Sequence, residues 1–155
     1  MPLVRAADVS ETIHAPKERV WQALTTPALL KQFFFGANVN STWKVGDPIT
    51  FAGEYEGHAF EDKGEIRSSR PGEELSFTHW SALSGKPDAP ENYHLVTITL
   101  DQRGDDALVS IVQDDQDGKP VDKKTREQFE KNWSMVLKGL KEVAETKAPT
   151  EPGSH

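Results

Sequence analysis

TREQFEKNWSMVLKGLKEVAE, running from Thr125 to Glu145, carries apolar side chains at Phe129, Trp133, Val136, Leu137, Leu140, Val143 and Ala144. The steps between them, 4, 3, 1, 3, 3 and 1, keep returning to one face of a 3.6-residue helix. The stretch therefore predicts a long helix with a single buried stripe. Thr125, followed three residues later by Gln128, reads as a capping box at its start. Gly139 inside a helix costs about 1 kcal/mol relative to Ala, so its presence points to the close approach of another backbone. Such a stripe needs an apolar partner surface, which the remaining sequence must supply.

Outward from that helix, the chain begins with a short β-compatible run, Asp8 to Ile13, ending at His14-Ala15-Pro16. Proline presets φ for a first helical turn, and Val20, Trp21 and Leu24 follow at helical spacing before Pro27 forces a stop. Thr26 as cap and Pro27 as first residue predict a second short helix, Ala28 to Phe35, closed by Gly36. Between Val39 and Gln113 the pattern becomes short alternating runs broken by turn residues, which is antiparallel spacing. Six strands are predicted there: Val39–Trp43, Ile49–Tyr55, Ala59–Ser69, Glu74–Trp80, Tyr93–Asp101 and Ala107–Gln113. With the first strand and the final helix they make an α+β domain whose curved sheet wraps the helix. Residues 1–148 read as that one domain and 149–155 as a loose polar tail.

Strand parity says which side chains face the helix. Val96, Ile98 and Leu100 are apolar where Thr97 and Thr99 are not, which puts His94 in the inward set as well. The same test turns inward Val109, Ile111 and Gln113; Leu75, Phe77 and His79; Ile49, Phe51, Gly53 and Tyr55; and Phe60, Asp62, Gly64, Ile66 and Ser68. Each set mixes apolar residues with a polar or aromatic one. A hollow with apolar walls and a few convergent polar groups is the ordinary form of a small-molecule site. Trp80 falls on the opposite parity and is either exposed or covered by the long Ser84–Pro90 loop.

Composition removes several alternatives. The chain has 155 residues, 18 basic against 25 acidic, for a formal charge of −7. A phosphate backbone is repelled by that balance, and no basic stripe with interleaved aromatics overrules it, so nucleic acid is not expected as a partner. Cysteine is absent, which excludes disulfides, thiolate nucleophiles and thiolate metal sites. The N-terminus lacks an apolar leader and no run is long enough to span a membrane, so the expected location is cytoplasmic.

The string Ile13-His14-Ala15-Pro16-Lys17-Glu18-Arg19-Val20-Trp21-Gln22-Ala23-Leu24-Thr25-Thr26-Pro27 resembles the opening of the START-like (SRPBCC) superfamily, in its branch named for activators of the heat-shock-protein-90 ATPase. Trp43-Lys44-Val45-Gly46 with Phe51, Gly64-Glu65-Ile66 with Pro71 and Leu75, and Asn132-Trp133 through Lys141 extend the likeness from about Asp8 to Glu145. The resemblance implies a helix-grip fold, β-α-α-β6-α, with an elongated internal cavity for lipids, polyketides or other hydrophobic molecules. Phe33-Phe34-Phe35-Gly36 departs from the Trp-rich end of related sequences, a change that reshapes the cavity mouth.

The expected function is binding of a hydrophobic small molecule, lipid, polyketide or flavonoid-like, without catalysis. The expected ligand contacts are Phe51, Tyr55, Phe60, Phe77, His79, His94, Val96 and Gln113 from the sheet and Trp133, Val136, Leu137 and Leu140 from the helix. No cofactor or metal is expected, because the five histidines form neither H-x3-H nor HExxH. Two alternatives stay open. One is a chaperone-linked interaction module, which the family name implies. The other is a cavity cyclase or hydrolase, for which His79 or His94 beside Asp62 or Tyr55 supplies an acid–base pair, although nothing resembles a nucleophile elbow.

Overall fold

The computed structural model describes residues 3–146, so the predicted tail 149–155 and the last two residues of the predicted domain lie outside the described residues. Seven strands form one antiparallel sheet: β1 (Val4–Ile13), β2 (Asn38–Ser41), β3 (Pro48–Tyr55), β4 (His58–Arg70), β5 (Glu74–His79), β6 (His94–Arg103) and β7 (Asp106–Asp115). Their spatial order is β1-β7-β6-β5-β4-β3-β2, a meander to which the N-terminal strand returns beside the last one. Helices α1 (Lys17–Leu24) and α2 (Pro27–Phe33) bridge β1 and β2, and α3 (Lys123–Glu145) lies across the inner face. This is the predicted α+β helix-grip arrangement.

Local chemistry moves several boundaries. Helix α3 starts two residues before Thr125, because Asp122 caps it: its Oδ1 accepts from the Thr125 amide at 2.8 Å. A carboxylate there satisfies an orphan amide and meets the positive end of the helix dipole, so it replaces the predicted Thr125 cap. Backbone and side-chain hydrogen bonds from Thr125 hold Asp122 below the usual carboxylate range. Helix α2 ends at Phe33 rather than Phe35, since Phe35 and Gly36 both take left-handed φ, +55° and +69°. Thr26 precedes that helix without capping it; its hydroxyl donates back to the Gln22 carbonyl at 2.5 Å.

In β4 the register shifts between Ile66 and Ser68, so Ile66 pairs with Phe77 while Ser69 pairs with Leu75. One inserted residue reverses parity, and Ser68 leaves the inward set predicted for it, pairing with Ser76 instead. Gly64 is demanded by packing. A Cβ there would lie 1.6 Å from the Thr78 carbonyl oxygen, which no side chain can meet without separating β4 from β5.

The closed part of the core sits under the C-terminal half of α3. Val136, Leu137, Leu140 and Ala144 are buried in one cluster that also holds Ile13, Val20, Leu30, Ile98, Val109 and Ile111. Gly139 makes the close approach its sequence implies: a Cβ would sit 2.5 Å from the Phe33 Cβ. Toward the other end of α3, packing gives way to space.

Candidate functional site

The N-terminal half of α3, the end of α2 and the open end of the sheet border a wide-mouthed cavity of about 420 Å³. Its aromatic wall consists of Phe34 and Phe35 after α2, Phe51 on β3, Phe60 on β4, and Phe129 and Trp133 on α3. Ala37, Val96 and Asn132 complete the sides, and Ser81 and Leu83 overhang the mouth from the connection between β5 and β6. The rings pack on one another. Phe34 stacks on Phe51 with centroids 5.4 Å apart and meets the edge of Trp133 at 6.0 Å.

One end is polar. Asp62, His79, His94 and Gln113 reach the cavity from four neighbouring strands, because His79 closes β5, His94 opens β6 and the two are register partners. Asp62 Oδ2 lies 2.9 Å from His79 Nε2, and Asp115 Oδ1 lies 2.7 Å from His94 Nδ1. The two imidazoles are nearly parallel with centroids 6.4 Å apart. Trp133 Nε1 donates to Gln113 Oε1 at 2.8 Å, which fixes the amide, and Gln113 Nε2 then donates to Asp115 Oδ1 at 3.1 Å.

The orientation of the Gln113 amide follows from Trp133, whose indole can only donate. It forces the Gln113 carbonyl toward the helix and its amino group toward Asp115. Burial pushes the Asp115 carboxyl up, but hydrogen bonds from His94 and Gln113 outweigh that and hold it below the usual carboxylate range. An ionised carboxylate only accepts, so His94 donates through Nδ1. His79 Nε2 and Asp62 Oδ2 make the equivalent imidazole–carboxylate contact one strand further along the sheet. Among the described residues, His79 Nδ1 and His94 Nε2 make no hydrogen bond to protein, and Asp62 Oδ1 is buried without a partner. The arrangement can accept hydrogen bonds from a polar group inside an otherwise apolar space.

Of the twelve side chains expected from sequence to touch a ligand, Phe51, Phe60, His79, His94, Val96, Gln113 and Trp133 line this cavity. Phe77, Val136, Leu137 and Leu140 do not. They lie in the packed core, where helix and sheet close on each other. The side chain of Tyr55, the last residue of β3, lies outside the described residues. Phe34, Phe35, Ala37, Ser81, Leu83, Phe129 and Asn132 were absent from the expected contacts. Phe129 shares the stripe of Trp133 and could have been read from it; Ala37, Ser81 and Leu83 lie in connections that carry no periodic signal. Trp80 is covered by the long loop, its indole donating to the Lys86 carbonyl at 3.2 Å and stacking on Tyr93 at 6.2 Å. No group of three or more metal-ligating side chains occurs among the described residues, and no helix there is long and apolar enough to cross a membrane.

The family model described as activator of Hsp90 ATPase homolog 1-like protein matches residues 14–145. The chain belongs to that family. The ChR145 protein of Cytophaga hutchinsonii, solved in solution, is similar to this family member over 94% of its chain and 97% of its own, with 41% identity and a TM-score of 0.78. CV1439 of Chromobacterium violaceum, a crystal structure, is 26% identical over 90% and 96% of the two chains at a TM-score of 0.70. The Aha1 dimer of Colwellia psychrerythraea shares the fold at 18% identity, over 94% and 97%, with a TM-score of 0.67. No curated protein matches the sequence.

Proposed function

We propose that this protein binds a hydrophobic small molecule in the cavity at the N-terminal end of α3, without transforming it. The observation that carries this reading is the contrast within one enclosure. Six aromatic side chains line a space of about 420 Å³, and four polar ones, Asp62, His79, His94 and Gln113, gather at a single end. That volume falls within the roughly 300–1,000 Å³ of small-molecule pockets, and apolar burial at about 25 cal/mol per Å² supplies affinity while the polar end selects orientation.

Binding rather than turnover is supported by what surrounds the imidazoles. Each is held by a carboxylate, yet no serine or threonine hydroxyl lies within hydrogen-bond distance of either among the described residues, as a nucleophile–base pair would require. A chaperone-linked role rests on the family's description.

Thermal unfolding and amide NMR against a panel of fatty acids, phospholipids and flavonoid-like aromatics test the proposal. A ligand at about 100 times its Kd stabilises by about 2.7 kcal/mol, which in a domain of this size raises Tm by roughly 5–10 °C. The shifted resonances are expected at Phe51, His94 and Trp133. Silence across the panel, or shifts confined to the outer face of the sheet, overturns the reading.

A further inference from the structure

The groups left free at the polar end are all of one kind. Asp62 Oδ1 is buried and unpartnered among the described residues, although its carboxyl already accepts from His79 through the other oxygen. In the neutral form of each ring, His79 Nδ1 and His94 Nε2 are lone-pair acceptors when the opposite nitrogen donates to its carboxylate. Gln113 turns its carbonyl to Trp133 and its amino group toward Asp115 and His94, with Nε2 3.1 Å from Asp115 Oδ1 and 3.2 Å from His94 Nδ1. Among the described residues, the buried atom left without a partner at the polar end is thus an acceptor, while Asn132 and Ser81 stand at the sides and mouth of the cavity.

From this we infer that the cavity is built for a neutral, ring-bearing molecule whose hydroxyl enters first and donates to Asp62 Oδ1. The inference rests on the ligand-binding reading above and narrows it. A carboxylate or phosphate head meets the Asp62 carboxylate with no proton between them, and like charges in a low-dielectric pocket repel strongly. An ether or ester fills the same space but leaves Asp62 Oδ1 as orphaned as before, so it gains nothing at that end. A hydroxyl supplies the missing proton. The aromatic wall favours a flat ring as the body, since Phe34, Phe51 and Trp133 present faces and edges at stacking distances.

The test uses the whole protein at pH 7.5 and three probes of nearly equal shape: 2-naphthol, 2-methoxynaphthalene and 2-naphthoate. Binding is followed by tryptophan fluorescence and by amide shifts that place each probe in the cavity. The naphthol is expected to bind at least tenfold more tightly than either of the others. Asp62→Asn keeps the shape and lets the amide oxygen accept from His79, which turns an amino group toward the vacant position. In that variant the preference should collapse, with the ether and the carboxylate gaining on the naphthol.

Equal binding of the three probes, or tightest binding of the naphthoate, overturns the hydroxyl assignment while leaving a cavity that binds apolar molecules. A naphthol preference that survives unchanged in a folded Asp62→Asn protein removes Asp62 from the role. If no probe enters the cavity at millimolar concentration while a fatty acid or phospholipid does, the hydroxyl-first assignment fails and the broader reading stands. Should every ligand fail, both fall together.

Discussion

The two halves of α3 carry the same amphipathic stripe and face the same sheet, yet one half seals and the other encloses a space. Toward the C-terminus, Val136, Leu137, Leu140 and Ala144 are buried in a cluster made mostly of aliphatic side chains, and Gly139 lets Phe33 come within van der Waals range of the helix backbone. Toward the N-terminus, Phe129, Asn132 and Trp133 meet rings and imidazoles instead. Aliphatic side chains interdigitate and leave no room. Flat rings standing on edge beside hydrogen-bonded polar groups hold their places without filling the middle. What distinguishes a core from a binding site here is the shape and bonding of the facing residues, with hydrophobicity common to both.

The sharpest way to break this comparison is to truncate one residue in each half. Leu140→Ala is expected to cost about 2–5 kcal/mol, the range for a fully buried leucine, lowering Tm by about 10 °C while leaving ligand affinity unchanged. Phe129→Ala removes a half-buried ring already beside empty space, so about 1–2 kcal/mol is expected, together with a loss of ligand affinity. Urea unfolding and titration of both variants decide it. If the two changes destabilise equally and both weaken binding, the halves are not functionally distinct.

Gly139→Val addresses the closed half from the opposite direction. Its Cβ falls 2.5 Å from the Phe33 Cβ, so the helix or α2 must move, at up to about 3 kcal/mol of overpacking. A stability within about 0.5 kcal/mol of wild type would mean that α2 yields freely and that the seal is loose.

The smallest expected effect lies in the open half and depends on pH. Asp115 is held below the usual carboxylate range in the folded protein, so its contribution to stability is present above the unfolded-state value and is lost as pH falls through the folded one. The stability difference between wild type and Asp115→Asn, measured by urea unfolding, should therefore be largest near neutrality and shrink below about pH 4. A constant difference down to pH 3 would show that Asp115 contributes by packing alone.

Most of the fold was legible because periodicity and turn residues encode it directly: seven strands and three helices follow from alternation, stripes and prolines. Parity also brought His79, His94, Gln113 and Asp62 to one face without any coordinate. It failed at Ser68, because a bulge leaves no trace in the alternation of polar residues around it. The wall of the cavity was harder to read. Phe77 and Leu137 obey the same patterns as Phe51 and Trp133, and only the depth at which each meets its neighbours separates core from lining. The hydrogen-bond chain from Trp133 to Asp115 joins residues on different elements, and no local spacing announces it.

The strand pair that carries the two histidines ends on them. His79 and His94 are the last rung between β5 and β6, and beyond Trp80, which still bridges Lys63 of β4, the chain from 81 to 93 departs and returns at that step of the ladder. Inserting or deleting residues there changes no rung below it, where Phe77 meets Val96 and Leu75 meets Ile98. The rim could thus be lengthened, shortened or exchanged for a foreign hairpin while the helix and its seat stay as they are. That makes the connection a natural grafting point for altering what the molecule accepts.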